Sequence, residues 1–229
     1  MDDATPRAAR RDRTSRVVTA IGLALVAAVG VAACSGGDAD SSAKKTTTTI
    51  SRGTHVEIPL GDVSAASSGP PVTVSPEQSQ QVLDLLTTYV KDATVQPLRS
   101  GAPATADLAA VFDATTLTPA TTTDRGVVLD EGLPKVTGDL DVLASPVAIV
   151  GLGDQGGRLA LASAAMVVDV KGQTAVKGDP LHIVRRVDFV LAPDGFGGWK
   201  VTSYTVIVTR DGADLSATTT TTATTGAAK

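Results

Sequence analysis

Residues 181–210 read LHIVRRVDFVLAPDGFGGWKVTSYTVIVTR, and this stretch contains the clearest strand pattern in the chain. In two segments, 181–192 and 199–210, apolar side chains alternate with polar ones, and the glycine-rich sequence PDGFGG separates them. Alternation with a period of two is typical of strands, and a short glycine-containing connection between two such runs favours a β-hairpin. We therefore expect two long antiparallel strands joined by a turn.

Strand patterns also precede the hairpin. Apolar residues alternate from Leu140 to Ala144 after Gly138, and the alternation changes parity at Pro146, which indicates a bulge or an edge position. Residues 158–170 form another long apolar run, followed by a polar loop. Together with the hairpin, these segments predict a curved antiparallel sheet of about four long strands.

Helical patterns come before the strands. The sequence SPEQ at residues 75–78 predicts a helix start, because serine can cap, proline fits the first helical position and glutamine completes a capping box. We expect this helix to end at Pro97, a second helix over residues 105–112 and a short third one within residues 124–130. Two to three helices packed on one face of the sheet define an α+β fold.

The N-terminus has the layout of an export signal. Residues 1–16 are polar and contain five arginines, residues 17–33 are uncharged and almost wholly apolar, and Cys34 is the only cysteine of the chain. A basic segment, an apolar segment and small residues before a cleavage point are typical of secretory signals. An uncleaved signal anchor is the alternative, because the apolar run is just long enough to span a bilayer. Both interpretations predict that the remaining chain lies outside the membrane.

The sequence Val31-Ala32-Ala33-Cys34 resembles the lipobox of bacterial lipoproteins. The resemblance implies a signal peptide over residues 1–33, cleavage between Ala33 and Cys34, and a diacylglycerol thioether on the Cys34 sulfur. Two or more acyl chains, at about 0.8 kcal/mol per buried methylene, make a stable anchor where one chain is marginal. The expected location is therefore the extracytoplasmic face of the cell membrane, with the lipid (palmitate) on Cys34 as the attachment.

Two segments have the composition of unfolded chain. Residues 34–70 are rich in serine, threonine, glycine and aspartate, which predicts a flexible tether. The alternating sequence HVEIPL at residues 55–60 could add an edge strand within it. The threonine-rich residues 213–229 predict a disordered tail, whose threonines could accept O-linked sugar. Residues 71–212 then remain as the folded domain.

Composition and motifs exclude several classes of function. The chain has 20 basic and 24 acidic residues and a net charge of -4, so we expect no binding to nucleic acid, which depends on lysine and arginine at phosphates. One cysteine and two histidines provide no disulfide framework and no metal-ligand cluster. The sequence contains no nucleophile or phosphate-cradle motif, so no catalytic residue, metal or cofactor is predicted.

The order of helices and strands resembles that of the NTF2-like (cystatin-like, SnoaL-type) superfamily, over about residues 72–212. The runs DEGLP at residues 130–134 and GWKVTSY at residues 198–204 carry the resemblance, which is to exported actinobacterial-type lipoproteins and to accessory proteins of mammalian-cell-entry transporters. The anchor, the tether, the acidic surface and the absence of catalytic motifs favour a non-enzymatic binding or accessory module of the cell envelope, with a lipid, a wall component or another envelope protein as its ligand. The alternatives are a SnoaL-like pocket enzyme, of the proton-transfer isomerase or hydrolase type, and a structural partner of an envelope transport complex.

One sheet face is a candidate ligand pocket. If the hairpin pairs Leu191 with Trp199, the period of two places an arginine, a serine and a threonine on the same face, and an aspartate of the preceding strand could join them. The four candidates are Arg185, Ser203, Thr205 and Asp169. Such a face predicts a pocket with a positive anchor for an anionic or polar ligand.

A structural role for Arg185 is the alternative to a pocket. A buried unpaired charge costs several kcal/mol, so a buried Arg185 needs a carboxylate partner or access to water. The one histidine of the domain, His182, is expected on the opposite face together with Asp188 and Tyr204. Exposed strand residues often have this composition, so these three side chains do not by themselves indicate catalysis.

Overall fold

The computed structural model describes residues 54–101, 105–175, 178–212, 215 and 219–225. The apolar run, the predicted cleavage position at Ala33 and Cys34, and the first part of the predicted tether lie outside these residues, so what the sequence predicts for them stays a prediction. Among the described residues, no helix combines the length and the apolar character that crossing a bilayer requires.

Seven strands of the described chain form one mixed sheet. They are β1 Leu60–Ala65, β2 Val136–Ala144, β3 Val147–Gly153, β4 Leu159–Thr174, β5 Pro180–Pro193, β6 Trp199–Gly212 and β7 Thr219–Thr225. Their order is β1-β3-β4-β5-β6-β7, and β2 also pairs with β4. The pair β1–β3 is parallel and the other pairs are antiparallel. The α+β class is confirmed, but the expectation of a purely antiparallel sheet of about four strands is wrong.

The predicted hairpin is confirmed as β5 and β6, but its predicted register is wrong. Arg185 lies opposite Val208 instead of Thr205, and the register shifts where Val190 pairs with Ser203 while Leu191 pairs with Val201. This bulge changes which side of β6 faces the core. Before it the odd-numbered residues of β6 are buried, and after it the even-numbered ones are, so that the large apolar side chains of β6 are buried except that of Ile207, which is half-buried.

The parity change at Pro146 is a break between two strands. β2 and β3 both pair with β4, and Ser145 and Pro146 separate them. Because proline has no N–H group for a strand ladder, the chain leaves one strand at this point and begins the next. A second irregularity lies within β2, where Gly138 has a φ of +70°, a conformation that favours glycine.

The predicted tether is wrong for its last part. Val56 and Ile58 are buried against the core, and β1 then pairs with β3. The sequence HVEIPL therefore supplies buried side chains, while the added edge strand begins at its last residue, Leu60. Alternating apolar residues that can be buried on a sheet compensate for the entropy of ordering this segment.

The predicted disordered tail is wrong for Thr219–Thr225. These residues form β7, which pairs with β6, and Ala223 is buried opposite Val206. Threonine is β-branched and favours extended backbone, and the edge of β6 offers unpaired backbone groups. A free strand edge can therefore order a segment that composition alone assigns to disorder.

Helices cover one face of this sheet. They are α1 Pro76–Val90, α2 Gln96–Ser100, α3 Thr105–Val111, α4 Ala114–Thr121 and α5 Arg125–Val128, and a π-helical turn Lys91–Val95 joins α1 to α2. The capping box is confirmed, since the backbone N of Gln78 donates to Ser75 Oγ over 3.2 Å. Pro97 does not end the helical chain as predicted, because it lies in the first turn of α2, where its missing N–H is tolerated.

Aromatic side chains fill the space between the helices and the sheet. Tyr89 from α1, Phe112, Phe189 from β5 and Tyr204 from β6 meet edge to face, with ring centroids 5.0–6.0 Å apart. All four rings are buried. Such contacts add to the stabilisation from area burial, and they occupy the middle of the domain with packed side chains.

Candidate functional site

The structure does not bring the four predicted pocket residues together. Arg185 is 1% exposed and lies on the helix-covered face of the sheet. Ser203 and Thr205 lie on the opposite face, because the bulge in β6 reverses their orientation. Asp169 also lies there, with its Oδ1 3.0 Å from His182 Nε2 and its Oδ2 3.5 Å from Lys171 Nζ.

The expectation for the opposite face is confirmed in part. His182 and Asp188 lie on it, as expected from their parity with respect to Arg185. Tyr204 does not, because it follows the bulge and is buried in the aromatic cluster, where its hydroxyl donates to Asp124 Oδ2 over 2.8 Å. The three side chains therefore do not form one group.

Arg185 instead belongs to a buried charge cluster centred on Asp130. Arg185 Nη2 donates to Asp130 Oδ2 over 2.6 Å, and Arg210 Nε donates to Asp130 Oδ1 over 2.8 Å. Thr94 Oγ1 donates to Asp130 Oδ2 over 2.8 Å, and the Asp130 side chain is fully buried. The structural interpretation of Arg185, pairing with a carboxylate, is therefore the one that the geometry supports.

The two arginines also hold the end of helix α5. Arg185 Nη1 donates to the carbonyls of Val127 and Val128 over 2.9 and 3.0 Å, and Arg210 Nη2 donates to the carbonyl of Leu129 over 3.2 Å. Carbonyls at a helix C-terminus lack partners within the helix, and positive charge there is favourable. Tyr89 links this group to α1, since its hydroxyl accepts from Arg185 and donates to the Val128 carbonyl.

Local features of the chain place these side chains together. Arg185 and Arg210 lie on adjacent strands, where Arg210 pairs with Ile183, two residues from Arg185. Asp130 begins the run DEGLP, and its backbone N donates to the Ala93 carbonyl within the π-helical turn over 2.8 Å. A π-helical turn shifts the side-chain positions of a helix, and here it places Thr94 on the carboxylate.

Sequence reasoning identified Arg185 but missed most of its partners. The sequence points to Asp130 only as part of the DEGLP run, and it gives no indication that Arg210, Thr94 and Tyr89 contact Arg185 or Asp130. Arg210 is an even-numbered residue of β6. Even-numbered residues of this strand are buried only after the bulge, so the buried position of Arg210 cannot be predicted without the bulge. No local pattern relates Asp130 to two strands that follow it by more than 50 residues.

The cluster has a defined charge state. Burial alone would raise the pKa of Asp130, but the charges of Arg185 and Arg210 and the hydrogen bonds outweigh burial and lower the pKa below its usual value. Burial raises the pKa of the Tyr89 hydroxyl. At neutral pH, therefore, two guanidinium groups surround one carboxylate, while Tyr89 stays protonated and donates its proton to a carbonyl.

This charge state predicts a pH dependence of stability. The lowered pKa of Asp130 contributes stability that is fully present above the pKa of an unfolded aspartate, about 3.9, and that is lost as the pH falls through the folded value. The difference in unfolding free energy between the wild type and Asp130→Asn should therefore stay constant from pH 7 to about pH 5 and shrink below about pH 4. Urea titrations at each pH measure it, and a difference that already shrinks near pH 6 would contradict a lowered pKa.

Solvent-exposed clefts lie elsewhere on the surface. One, of about 420 Å³, lies between the start of α4 and the hairpin turn and includes Phe112 and Phe196. Others of about 300 and 240 Å³ lie beside Arg186 and His182 respectively. The described residues include no group of three or more side chains that could hold a metal ion.

No known protein family, curated protein or solved structure matches this chain. A functional assignment therefore depends on the sequence and on the geometry given above. Chemically, the Asp130 cluster joins α1, α5 and the sheet, and its charged groups are already bonded to one another, while the clefts at the surface are the places that a ligand can reach.

Proposed function

We propose that this chain is an extracytoplasmic lipoprotein, held on the cell membrane by a lipid on Cys34, whose domain is a non-enzymatic binding or accessory module of the envelope. The observation that carries the proposal is the single cysteine directly after an uncharged apolar run, in the context Val31-Ala32-Ala33-Cys34. An oxidising exterior also explains why the folded part of the chain has no free thiol.

The packing of the domain supports the non-enzymatic role. A SnoaL-like proton-transfer enzyme needs a titratable group inside a pocket that a substrate can enter. Asp130 is fully buried and bonded to two arginines, and the hydrogen-bonded pair of Asp124 and Tyr204 lines none of the clefts described above. The pair His182–Asp169 is open to solvent, with 41% and 35% of the two side chains exposed, and water weakens the electrostatic stabilisation on which catalysis depends.

We also propose the NTF2-like superfamily as the origin of the fold. The long antiparallel succession β4, β5 and β6, which follows helices that cover one sheet face, supports this proposal. The parallel pair β1–β3 is an addition that the resemblance does not require. Fold alone would leave the ligand undefined, because one fold serves many functions.

The position of the chain entry favours a partner away from the bilayer. The Thr54 hydroxyl accepts a hydrogen bond from Arg99, and Arg99 also donates to the carbonyl of Gly138. These contacts lie near the end of the sheet where Val136 pairs with Thr174. The turn between β5 and β6 lies at the other end of β5, whose 14 residues at about 3.3 Å each place the two ends about 45 Å apart. A tether at one end therefore favours binding of an envelope protein at the other, and the same geometry suits a structural partner of a transport complex.

Fractionation of cells that express the full chain tests the proposal. We expect the protein in the membrane fraction, in the detergent phase after phase separation, and degraded when protease is added to intact spheroplasts, because the domain would lie outside the membrane. A cytoplasmic protein of known location serves as the control for spheroplast integrity. Recovery of the chain in the soluble cytoplasmic fraction, protected from protease, would contradict both the anchor and the location.

A further inference from the structure

The face of the sheet that the helices leave open is broad and partly apolar. It consists of the odd-numbered residues of β4, the even-numbered residues of β5 and the odd-numbered residues of β6 from Ser203 onward, and we call it the open face. These side chains are half-buried or exposed, and they alternate with buried side chains that point toward the helices. The larger aliphatic residues near the centre of the open face are Val167, Val184, Val190 and Ile207. A second layer packed on this face would complete their burial.

Two charges of opposite sign lie in the middle of the open face. Arg186 and Asp188 are both exposed on β5, two residues apart, and within the described part of the chain neither side chain has an ion-pair or hydrogen-bond partner. The strand β5 is flanked on one side by β4 and β3 and on the other by β6 and β7. The register places Arg186 between Val167 and Ile207. The centre of the face therefore combines apolar side chains with a cation and an anion that are available to a partner.

We propose that two copies of this chain associate through their open faces, with Arg186 of each copy paired with Asp188 of the other. A two-fold interface uses one surface patch twice, so the patch must be complementary to itself. A two-fold axis that crosses the strands at the level of Val187 makes the two β5 strands antiparallel and places each arginine opposite an aspartate. The same axis places Val184 of one copy opposite Val190 of the other. An axis along the strands would place like charges opposite each other, so the charges select the first arrangement.

The area of the open face suits a stable pair. The strand β5 has 14 residues, β4 and β6 are at least as long, and β2 and β3 extend the face along the other edge of β4. At about 3.3 Å per residue along a strand and about 4.8 Å between strands, these four rows present about 900 Å². A standard interface buries about 800 Å² on each partner. Sheets that pack face to face lie about 10 Å apart, a gap that an arginine and an aspartate side chain can bridge from opposite sides.

Photo-crosslinking of the full chain tests this inference. Two forms of the protein with different affinity tags, both carrying benzoylphenylalanine in place of Ser163, are expressed together and irradiated in the cell fraction in which they occur. Ser163 is exposed on β4, and the proposed axis places it opposite Asp169 of the other copy. We expect an adduct of twice the monomer mass that contains both tags, with the crosslinked peptide mapping to residues 165–171. Benzoylphenylalanine in place of Phe196, which is 97% exposed but lies outside the open face, should give no adduct with both tags.

Exchange of the two charges completes the test. Arg186→Asp alone places carboxylates opposite each other, and Asp188→Arg alone does the same with guanidinium groups, so each should reduce the adduct at least tenfold. The double variant Arg186→Asp/Asp188→Arg restores opposite charges and should return at least half of the wild-type yield, which a folding defect would not allow.

Several results would overturn the inference. They are no adduct with both tags, an adduct with lipid, another protein or residues 1–53 of the same chain in its place, single variants that keep the full yield, and a double variant that stays as low as the single ones. Each of these results concerns the open face alone and leaves the proposed anchor at Cys34 unaffected.

Discussion

Asp130→Asn is expected to lower the free energy of unfolding by about 3–5 kcal/mol. The substitution removes the only carboxylate of the described cluster and leaves the guanidinium groups of Arg185 and Arg210 without a counter-charge in the interior. It also replaces one carboxylate oxygen, which accepts hydrogen bonds, by an amide NH2 group. This group is itself a donor and cannot accept a hydrogen bond from the donors that face it. Urea unfolding of a fragment that spans all the described residues, 54–225, followed by circular dichroism, measures the change.

A matched control separates the buried pair from an exposed one. Asp169 pairs with Lys171 and His182 on the open face, and Asp169→Asn should change the unfolding free energy by less than about 1 kcal/mol. Both substitutions replace an aspartate by an asparagine in the same domain, so the burial of the substituted side chain is the main difference between them. Equal effects of the two substitutions would show that the Asp130 cluster does not stabilise the fold as argued.

Cys34→Ala is expected to abolish processing and membrane attachment. In the proposed anchor the Cys34 thiol is the group that would accept the diacylglycerol, and alanine offers no nucleophile in its place. Without acyl chains, the proposed anchor loses about 0.8 kcal/mol for every methylene that would be buried. Labelling with radioactive palmitate, followed by gel electrophoresis, should show the wild-type band and no labelled band for the variant.

The neighbouring serine provides the control for this experiment. Ser35→Ala alters the same short segment but keeps the sulfur, so label and processing should both persist. If Cys34→Ala also retains the label, the lipid is attached elsewhere and the lipobox interpretation is wrong.

Features of the fold that depend on neighbouring residues could be predicted from the sequence. The capping box at Ser75 and the hairpin around PDGFGG are determined within a few residues, and both are found where the sequence indicates. The hairpin register could not be predicted, because the apolar residues of β6 fall into two sets of opposite parity. The bulge between the two sets turns both of them toward the core. Only the helices that cover the sheet determine which sets must be buried.

The Asp130 cluster is a clearer example of a feature that cannot be predicted from the sequence. Asp130 is separated from Arg185 by 55 residues and from Arg210 by 80, and nothing local relates them. The need for a partner of Arg185 was predictable from the cost of an unpaired buried charge, whereas the identity of the partner was not. The strand β7 likewise depends on the free edge of β6, which composition does not reveal.

The lipid on Cys34 is the central claim, and the intact mass of the protein extracted from membranes tests it most directly. The account predicts a mass equal to residues 34–229 plus a diacylglyceryl group, with or without a further acyl chain. It also predicts that the added mass lies on the N-terminal cysteine after proteolysis. A mass that corresponds to the chain from Met1, with a free thiol at Cys34, would contradict the account.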